Sequence, residues 1–186
     1  MRRTGAQYLE SLQDGRAVFI DGERVDDVTT HPAFAGAARS IARLYDFSAD
    51  PANEELMTYE TEDGDRAHVM YMVPRTQDDL RRRRDGLRAW SELTFGLMGR
   101  SPDHVASFLA GFVGSKRLFG NADPRFEDNV ERFYKFARAN DLYCSYVIVP
   151  PQIDRSKPAH QQAEPHLYAG VKEERADGIV IKGAQM

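Results

Sequence analysis

The sequence reads as a mainly α fold carrying small β hairpins, and three observations lead to that class. Apolar residues recur at helical spacing, most clearly Val105, Phe108, Leu109, Phe112 and Val113 at i, i+3, i+4, i+7 and i+8. Asp-Gly pairs at 21–22, 63–64 and 177–178 lie between β-type runs. Both residue types tolerate the positive φ of a tight hairpin turn. Finally, 186 residues with 41% hydrophobic and 29% charged content are those of an ordinary globular protein, long enough to bury a real core.

In chain order, Tyr8, Leu9 and Leu12 mark a short helix ended by Asp14 and Gly15. Runs 17–20 and 23–25 flank the first hairpin turn. His31 and Pro32 open a helix carrying Phe34, Ala38, Ile41, Ala42 and Tyr45. Runs 56–61 and 66–73 flank the second hairpin. Pro74 starts a long helix ending at Gly99, with Leu80, Leu87, Trp90, Thr94, Leu97 and Met98 as its apolar stripe. Arg81 to Arg84 spread around more than one helical turn beside Asp78, Asp79 and Asp85, which makes them a solvated face. Another helix starts at Pro102, a loop spans 114–121, and a third helix covers 124–139 with Phe126, Val130, Phe133 and Ala137 inward. Asn140 and Asp141 end it. Residues 142–149 form an apolar, β-leaning run that stops at Pro150 and Pro151. Strand candidates 167–173 and 179–182 close the sequence. The expected division is a helical domain with two hairpins at 1–141, and at 142–186 the opening of a β domain that two strands alone do not complete.

A net charge of −4 and a pI near 5.8 argue against a nucleic-acid or acidic-membrane partner, which needs a cationic face. One cysteine, Cys144, allows neither a disulfide framework nor a cysteine-rich metal site, and its apolar surroundings make it a small core residue. His31 and His68 have no second ligand type at metal spacing, so no metal is expected. Arg2 and Arg3 are followed by no apolar leader segment, and the expected compartment is the cytoplasm.

Two stretches carry chemistry. At 99–104, Gly99 and Arg100 precede Ser101, a good N-cap, and Pro102, suited to the first helical position. Asp103 and His104 then fall in the first turn. The positive end of the helix dipole favours anions and a neutral imidazole, so a guanidinium, an imidazole and backbone donors together suit a carboxylate or phenolate. The bland alternative makes Arg100 a solvated loop residue and His104 a surface one. The second stretch is Gln152, Ile153, Asp154, Arg155 and Ser156, dense in donors and acceptors after an apolar run. It can hold a ligand or serve as a hydrated linker.

Several strings make the sequence similar to the 4-hydroxyphenylacetate 3-hydroxylase family, the oxygenase components of two-component, FAD-dependent aromatic monooxygenases. They are Thr-Gly-Ala-Gln-Tyr-Leu-Glu-Ser-Leu-Gln-Asp-Gly-Arg at 4–16, Asp-Gly-Glu-Arg-Val at 21–25 and Val-Thr-Thr-His-Pro-Ala-Phe at 28–34. Gly-Arg-Ser-Pro-Asp at 99–103, Asn-Asp-Leu at 140–142, Pro-Gln-Ile-Asp-Arg-Ser at 151–156 and Asp-Gly-Ile-Val-Ile-Lys-Gly-Ala at 177–184 follow in the same order. The resemblance implies an acyl-CoA dehydrogenase-like fold, of which this chain supplies the helical N-terminal domain and the first strands of the central β domain. It implies ortho-hydroxylation of a phenol through a flavin C4a-hydroperoxide, with O2 as co-substrate and reduced FAD delivered by a partner reductase. It further implies a homo-oligomer, a tetramer in the family. Arg100 matches the family's substrate-site arginine. His104 stands where the family often has a tyrosine, and Tyr146 where it often has a histidine. The exchange points to His104 as general base or hydrogen-bond partner and leaves the identity of the phenol open. Gln152, Ile153, Asp154 and Arg155 match the flavin-contacting segment. The alternative is a noncatalytic fragment, or a subunit contributing half a site to a second polypeptide.

Overall fold

The computed structural model describes residues 2–98, 101–151, 153–164 and 166–185. They fall into two compact units, Met1–Cys144 and Ser145–Met186. The division comes after Cys144 and not after residue 141. Leu142 and Cys144 pack against the helical core, and the Tyr71 hydroxyl donates to the Leu142 carbonyl at 2.7 Å.

The first unit starts with α1 (Gly5–Glu10), closed by a capping box in which Thr4 and Gln7 satisfy each other's backbone N–H. It lies so close to α2 (Ala35–Ala49) that a Cβ on Gly5 would stand 2.5 Å from the Ala42 carbonyl oxygen. Between them β1 (Val18–Ile20) and β2 (Glu23–Val25) pair antiparallel, with Asp21 and Gly22 at φ 52° and 84°. This is the mirror-image turn that an Asp-Gly pair favours. α2 buries Ala38, Ile41, Ala42 and Tyr45 as expected, together with Leu44 and Ser48. The next hairpin is shorter than its flanking runs: β3 (Thr58–Glu60) follows a helical turn, α3 (Glu54–Met57), and β4 (Arg66–His68) leads into a 3-10 turn at Val69–Tyr71.

The long helix, α4, covers Gln77–Leu93 and not 74–99. Thr76 and Asp79 form a capping box that fixes its start, and the Asp79 carboxylate also accepts from the Arg75 N–H. Phe95 and Gly96 turn left-handed at φ 54° and 70°, which stops it. The stripe differs too: Leu80 and Leu97 are exposed, while Arg83, Gly86 and Trp90 are buried. The arginine run is therefore not one solvated face. Gly86 is buried because nothing larger fits; a Cβ there would meet Val69 Cγ1 at 2.8 Å and the Leu56 carbonyl at 3.2 Å.

Helix α5 (Asp103–Gly114) presents Ala106 and Ala110 to the core. The expected loop at 114–121 contains a helical turn, α6 (Arg117–Gly120). α7 (Pro124–Ala139) has the expected bounds, set by the Asp123 side-chain cap and Pro124 at the first position. Its buried face is Tyr134, Ala137 and Arg138, however, while Phe126 and Phe133 are exposed. Phe126 and Phe133 follow the helical period one step off the true contact line, which Tyr134 wins by donating its hydroxyl to the Tyr71 carbonyl at 2.6 Å.

The core joins Leu44, Met57, Met70, Tyr71, Trp90, Ala106, Ala110, Tyr134 and Ala137. At its centre is a polar node. Ser48 Oγ donates to the Leu44 carbonyl at 2.9 Å and accepts from Trp90 Nε1 at 3.0 Å. With its one proton committed, it can only accept from His68 Nε2, 3.0 Å away. His68 Nδ1 accepts from the Met70 N–H at 3.1 Å, which demands the same neutral tautomer. Burial holds this ring's pKa down to about 3.

In the second unit, residues 145–149 carry no strand, a departure from the β-leaning reading: among the described residues no neighbouring chain offers a ladder, and Val147, Ile148 and Val149 stay exposed. β5 (Gly170–Arg175) and β6 (Gly178–Lys182) form an antiparallel ribbon with an irregularity between Val171 and Glu173.

Two outcomes follow for stability. Unfolded, His68 takes up a proton near pH 6.5, whereas folded it stays neutral to about pH 3. Its contribution is complete above pH 6.5 and declines by about 1.4 kcal/mol per pH unit below it. Urea unfolding of the parent and of His68→Gln between pH 7.5 and 5 will differ in acid slope by about 2 kcal/mol over that range. Gly86→Ala, which ordinary helix propensity would favour, will instead lower stability by about 1–3 kcal/mol through overpacking.

Candidate functional site

The start of α5 gathers four of the residues that the sequence singles out. Pro102 is fully buried, and Ser101, Asp103 and His104 are half-buried around it. The His104 N–H donates to the Ser101 carbonyl at 3.0 Å, closing the turn that launches the helix. The helix begins one residue later than expected. Pro102 takes the cap position at φ −52° and ψ −26°, and no side-chain cap is made there. Ser101 is not the N-cap: Pro102 takes that position, and the Ser101 hydroxyl donates to the Asp103 carboxylate. The His104 ring packs on Phe108, centroids 4.9 Å apart and tilted by 60°. Arg100, the expected anion-binding cation, lies outside the described residues, as does Gln152.

Two further groups meet this turn. Tyr143 is half-buried; desolvation raises its pKa, and the Asp103 carboxylate adds to the rise. It packs with Met98 against the Tyr8, Ile41, Ala42 and Tyr45 cluster. Arg83 reaches from α4 to the hydroxyl of Ser107 at 2.6 Å. Sequence reasoning missed both. Tyr143 was hidden inside a run read as strand, where side chains alternate and no face is marked. Arg83 did leave a signal: it stands four residues before Leu87 and seven before Trp90, on the helix's apolar stripe.

The remaining candidates belong to the second unit. Tyr146 and Ile153 are half-buried, whereas Asp154 and Arg155 are exposed. Asp154 folds its own loop: its carboxylate accepts from the Ser156 N–H at 3.0 Å and the Ser156 hydroxyl at 2.5 Å, and faces Lys157 at 3.3 Å. The Ser156 hydrogen bonds, foremost among these contacts, lower its pKa. The Asp154 carbonyl accepts from Gln162 Nε2 at 2.7 Å. Cys144, in the first unit, is half-buried beside the Tyr71 hydroxyl at 4.0 Å, and burial raises its pKa, which opposes a nucleophilic thiolate.

A family model described as 4-hydroxyphenylacetate 3-hydroxylase N terminal matches residues 4–186. The chain belongs to this family. It is 37% identical over its whole length to a 4-hydroxyphenylacetate 3-monooxygenase oxygenase component of Thermus thermophilus, covering 38% of that protein. It is 43% identical over 98% of its length to a Pseudomonas aeruginosa protein of the same name, and equally to a Rhodococcus 4-nitrophenol 2-monooxygenase oxygenase component, covering 34% of each. A crystal structure of a 4-hydroxyphenylacetate 3-monooxygenase oxygenase component complexed with FAD and 4-hydroxyphenylacetate superposes with a TM-score of 0.87 at 37% identity, over 99% of this chain and 38% of that one. An archaeal 4-hydroxybutyryl-CoA dehydratase, 20% identical, shares the fold with a TM-score of 0.80 over 100% of this chain and 37% of its own. The chain thus spans roughly a third to two-fifths of the length of these family members. The architecture is that of the helical N-terminal part of the acyl-CoA dehydrogenase-like fold. No helix among the described residues is long and apolar enough to cross a membrane.

If Ser101 is no N-cap, Ser101→Ala will lower stability by less than the roughly 1 kcal/mol that a lost cap costs. Thermal unfolding at pH 7 measures this directly.

Proposed function

We propose that this chain forms the N-terminal part of the oxygenase component of a two-component, reduced-flavin-dependent aromatic hydroxylase acting ortho to a phenolic hydroxyl. The observation that carries the reading is a match running along the whole chain to relatives named as such oxygenase components. The α5 start supports it chemically. It sets an imidazole beside the positive end of a helix, four residues after an arginine in the sequence.

In this reading Arg100 holds the phenolate oxygen, because a cation there lowers the energy of the ionised ring that attacks an electrophilic oxygen. His104 takes the phenolic proton, a task an imidazole performs near neutral pH more readily than a tyrosine. Phe108 packs against the imidazole ring, and Asp103 and Ser101 hold its turn. Tyr146, which stands where the family often has a histidine, is the remaining catalytic candidate.

The residues assigned to flavin fit such a group in their donor chemistry. Around Ile153 and Arg155 the chain is irregular, and Arg155 has no hydrogen-bond or ion-pair partner among the described residues, leaving a guanidinium and main-chain N–H groups for an electron-rich ligand. Gln152, outside the described residues, adds an amide. Asp154 also shapes the loop, since Ser156 and Lys157 engage its carboxylate. When bound, FAD reduced by a partner reductase would supply the electrons that activate O2.

In the complete oxygenase with its reductase, Arg100→Ala will lower kcat/KM for phenol hydroxylation by about 100-fold or more, the scale of losing one preorganised charge-stabilising group. Unchanged hydroxylation removes Arg100 from this role. His104→Phe will slow hydroxylation of a phenol that is neutral at pH 7 and spare one already ionised. Native mass with added FAD separates the alternative: a 21.1 kDa species holding no flavin marks a chain that contributes half a site.

A further inference from the structure

Arg83 is a cation that the fold buries with only neutral hydrogen-bond acceptors among the described residues. It is 8% exposed, and among the described residues no carboxylate is in ion-pair contact with it. Burial lowers its pKa, and the Asp103 charge is the first of the opposing influences. One guanidinium nitrogen donates to the Met72 carbonyl, just past the Val69–Tyr71 turn. Another donates to Ser107 Oγ at 2.6 Å.

The direction of that second bond matters. A guanidinium can only donate, so Ser107 Oγ must accept from it and turn its single proton elsewhere. That proton goes to the Asp103 carbonyl at 2.7 Å. Asp103 is the first residue of α5, its carboxylate accepts from Ser101, and His104 is the next residue. A relay of fixed polarity thus runs from α4 through Ser107 into the turn that carries the imidazole. Bonds in such a chain polarise one another. Filling the same volume with an apolar side chain would usually be no worse for stability, so packing alone does not account for a buried arginine.

We infer that Arg83 is a positioning residue: through Ser107 and the Asp103 carbonyl it fixes the first turn of α5 and thereby the orientation of His104. The catalytic half of this inference rests on the phenol-hydroxylase reading, and the mechanical half does not. Ser107 is half-buried and small, so Ser107→Ala removes the relay with little disturbance; Ser107→Thr keeps the hydroxyl and its bond to the carbonyl four residues back.

Hydrogen exchange on the 186-residue chain tests the mechanical half. In Ser107→Ala and Arg83→Met, amides 103–108 are expected to exchange roughly fivefold faster, the factor carried by an ordinary hydrogen bond. Amides 124–139 should be unaffected, and Ser107→Thr should restore protection. Unchanged exchange at 103–108, or equal acceleration in both helices, overturns the brace.

The catalytic half is read in the complete oxygenase. Ser107→Ala is expected to lower kcat about tenfold for a phenol that must lose its proton, the scale of a small misalignment, and to spare an already ionised one. Equal effects on both phenols, with His104→Phe still discriminating between them, overturn the positioning role. If His104→Phe itself does not discriminate, the fault lies with the site reading, and the exchange result alone decides the brace.

Discussion

One hydroxyl group organises the helical unit. Ser48 Oγ has a single proton and two lone pairs, and all three are committed, to Leu44, Trp90 and His68. Those partners belong to α2, α4 and β4, elements distant in sequence. The arrangement admits only one tautomer of His68, and that tautomer is also the one that accepts the Met70 N–H. The largest aromatic of the core and the hairpin that precedes α4 are therefore placed by the same atom. Apolar burial supplies the stability, but it is non-directional; the node supplies a unique register. The His68 and Trp90 rings, 4.4 Å apart between centroids, then form a wall against which the rest of the core packs.

Two buried arginines show opposite solutions to the same problem. Arg138 on α7 meets Glu62 through two parallel hydrogen bonds of 2.8 Å and lies 5.2 Å from the Tyr134 ring centroid. Its hydrogen bonds hold the Glu62 carboxyl down to about 2, so the pair is ionised across the physiological range. Among the described residues Arg83 has only neutral hydrogen-bond acceptors. An arginine that pairs with a carboxylate closes its field locally, whereas one bound to a carbonyl and a hydroxyl leaves its charge to act on the surroundings. The surroundings here are the start of α5, where the Asp103 charge favours the ionised guanidinium against its burial.

The sequence made α2, α7 and the hairpin turns legible because each rests on a local cause: apolar spacing, a Pro after an Asp cap, an Asp-Gly pair. Capping chemistry at Thr76 and Asp79 was equally local, yet Pro74 drew the helix start to itself. Faces were harder. Phe126 and Phe133 carry more apolar area than Tyr134, but a phenol that can bond a buried carbonyl outcompetes a ring that cannot. Among the site residues, the gathering of Ser101, Pro102, Asp103 and His104 was legible from spacing alone. The contributions of Arg83, Ser107 and Tyr143 depend on contacts between segments far apart in the chain, which no local pattern encodes.

The ribbon of β5 and β6 has a different consequence. Val171 and Ile181 stand directly opposite each other, Ile179 follows two places along, and all three are about half exposed. A two-stranded ribbon is marginal by itself, and each outer edge offers a row of main-chain donors and acceptors. Among the described residues nothing but the isolated Tyr168–Ala184 bridge extends that sheet. Any extended segment that reaches either edge can add to it by backbone pairing alone, with the apolar row as its register guide.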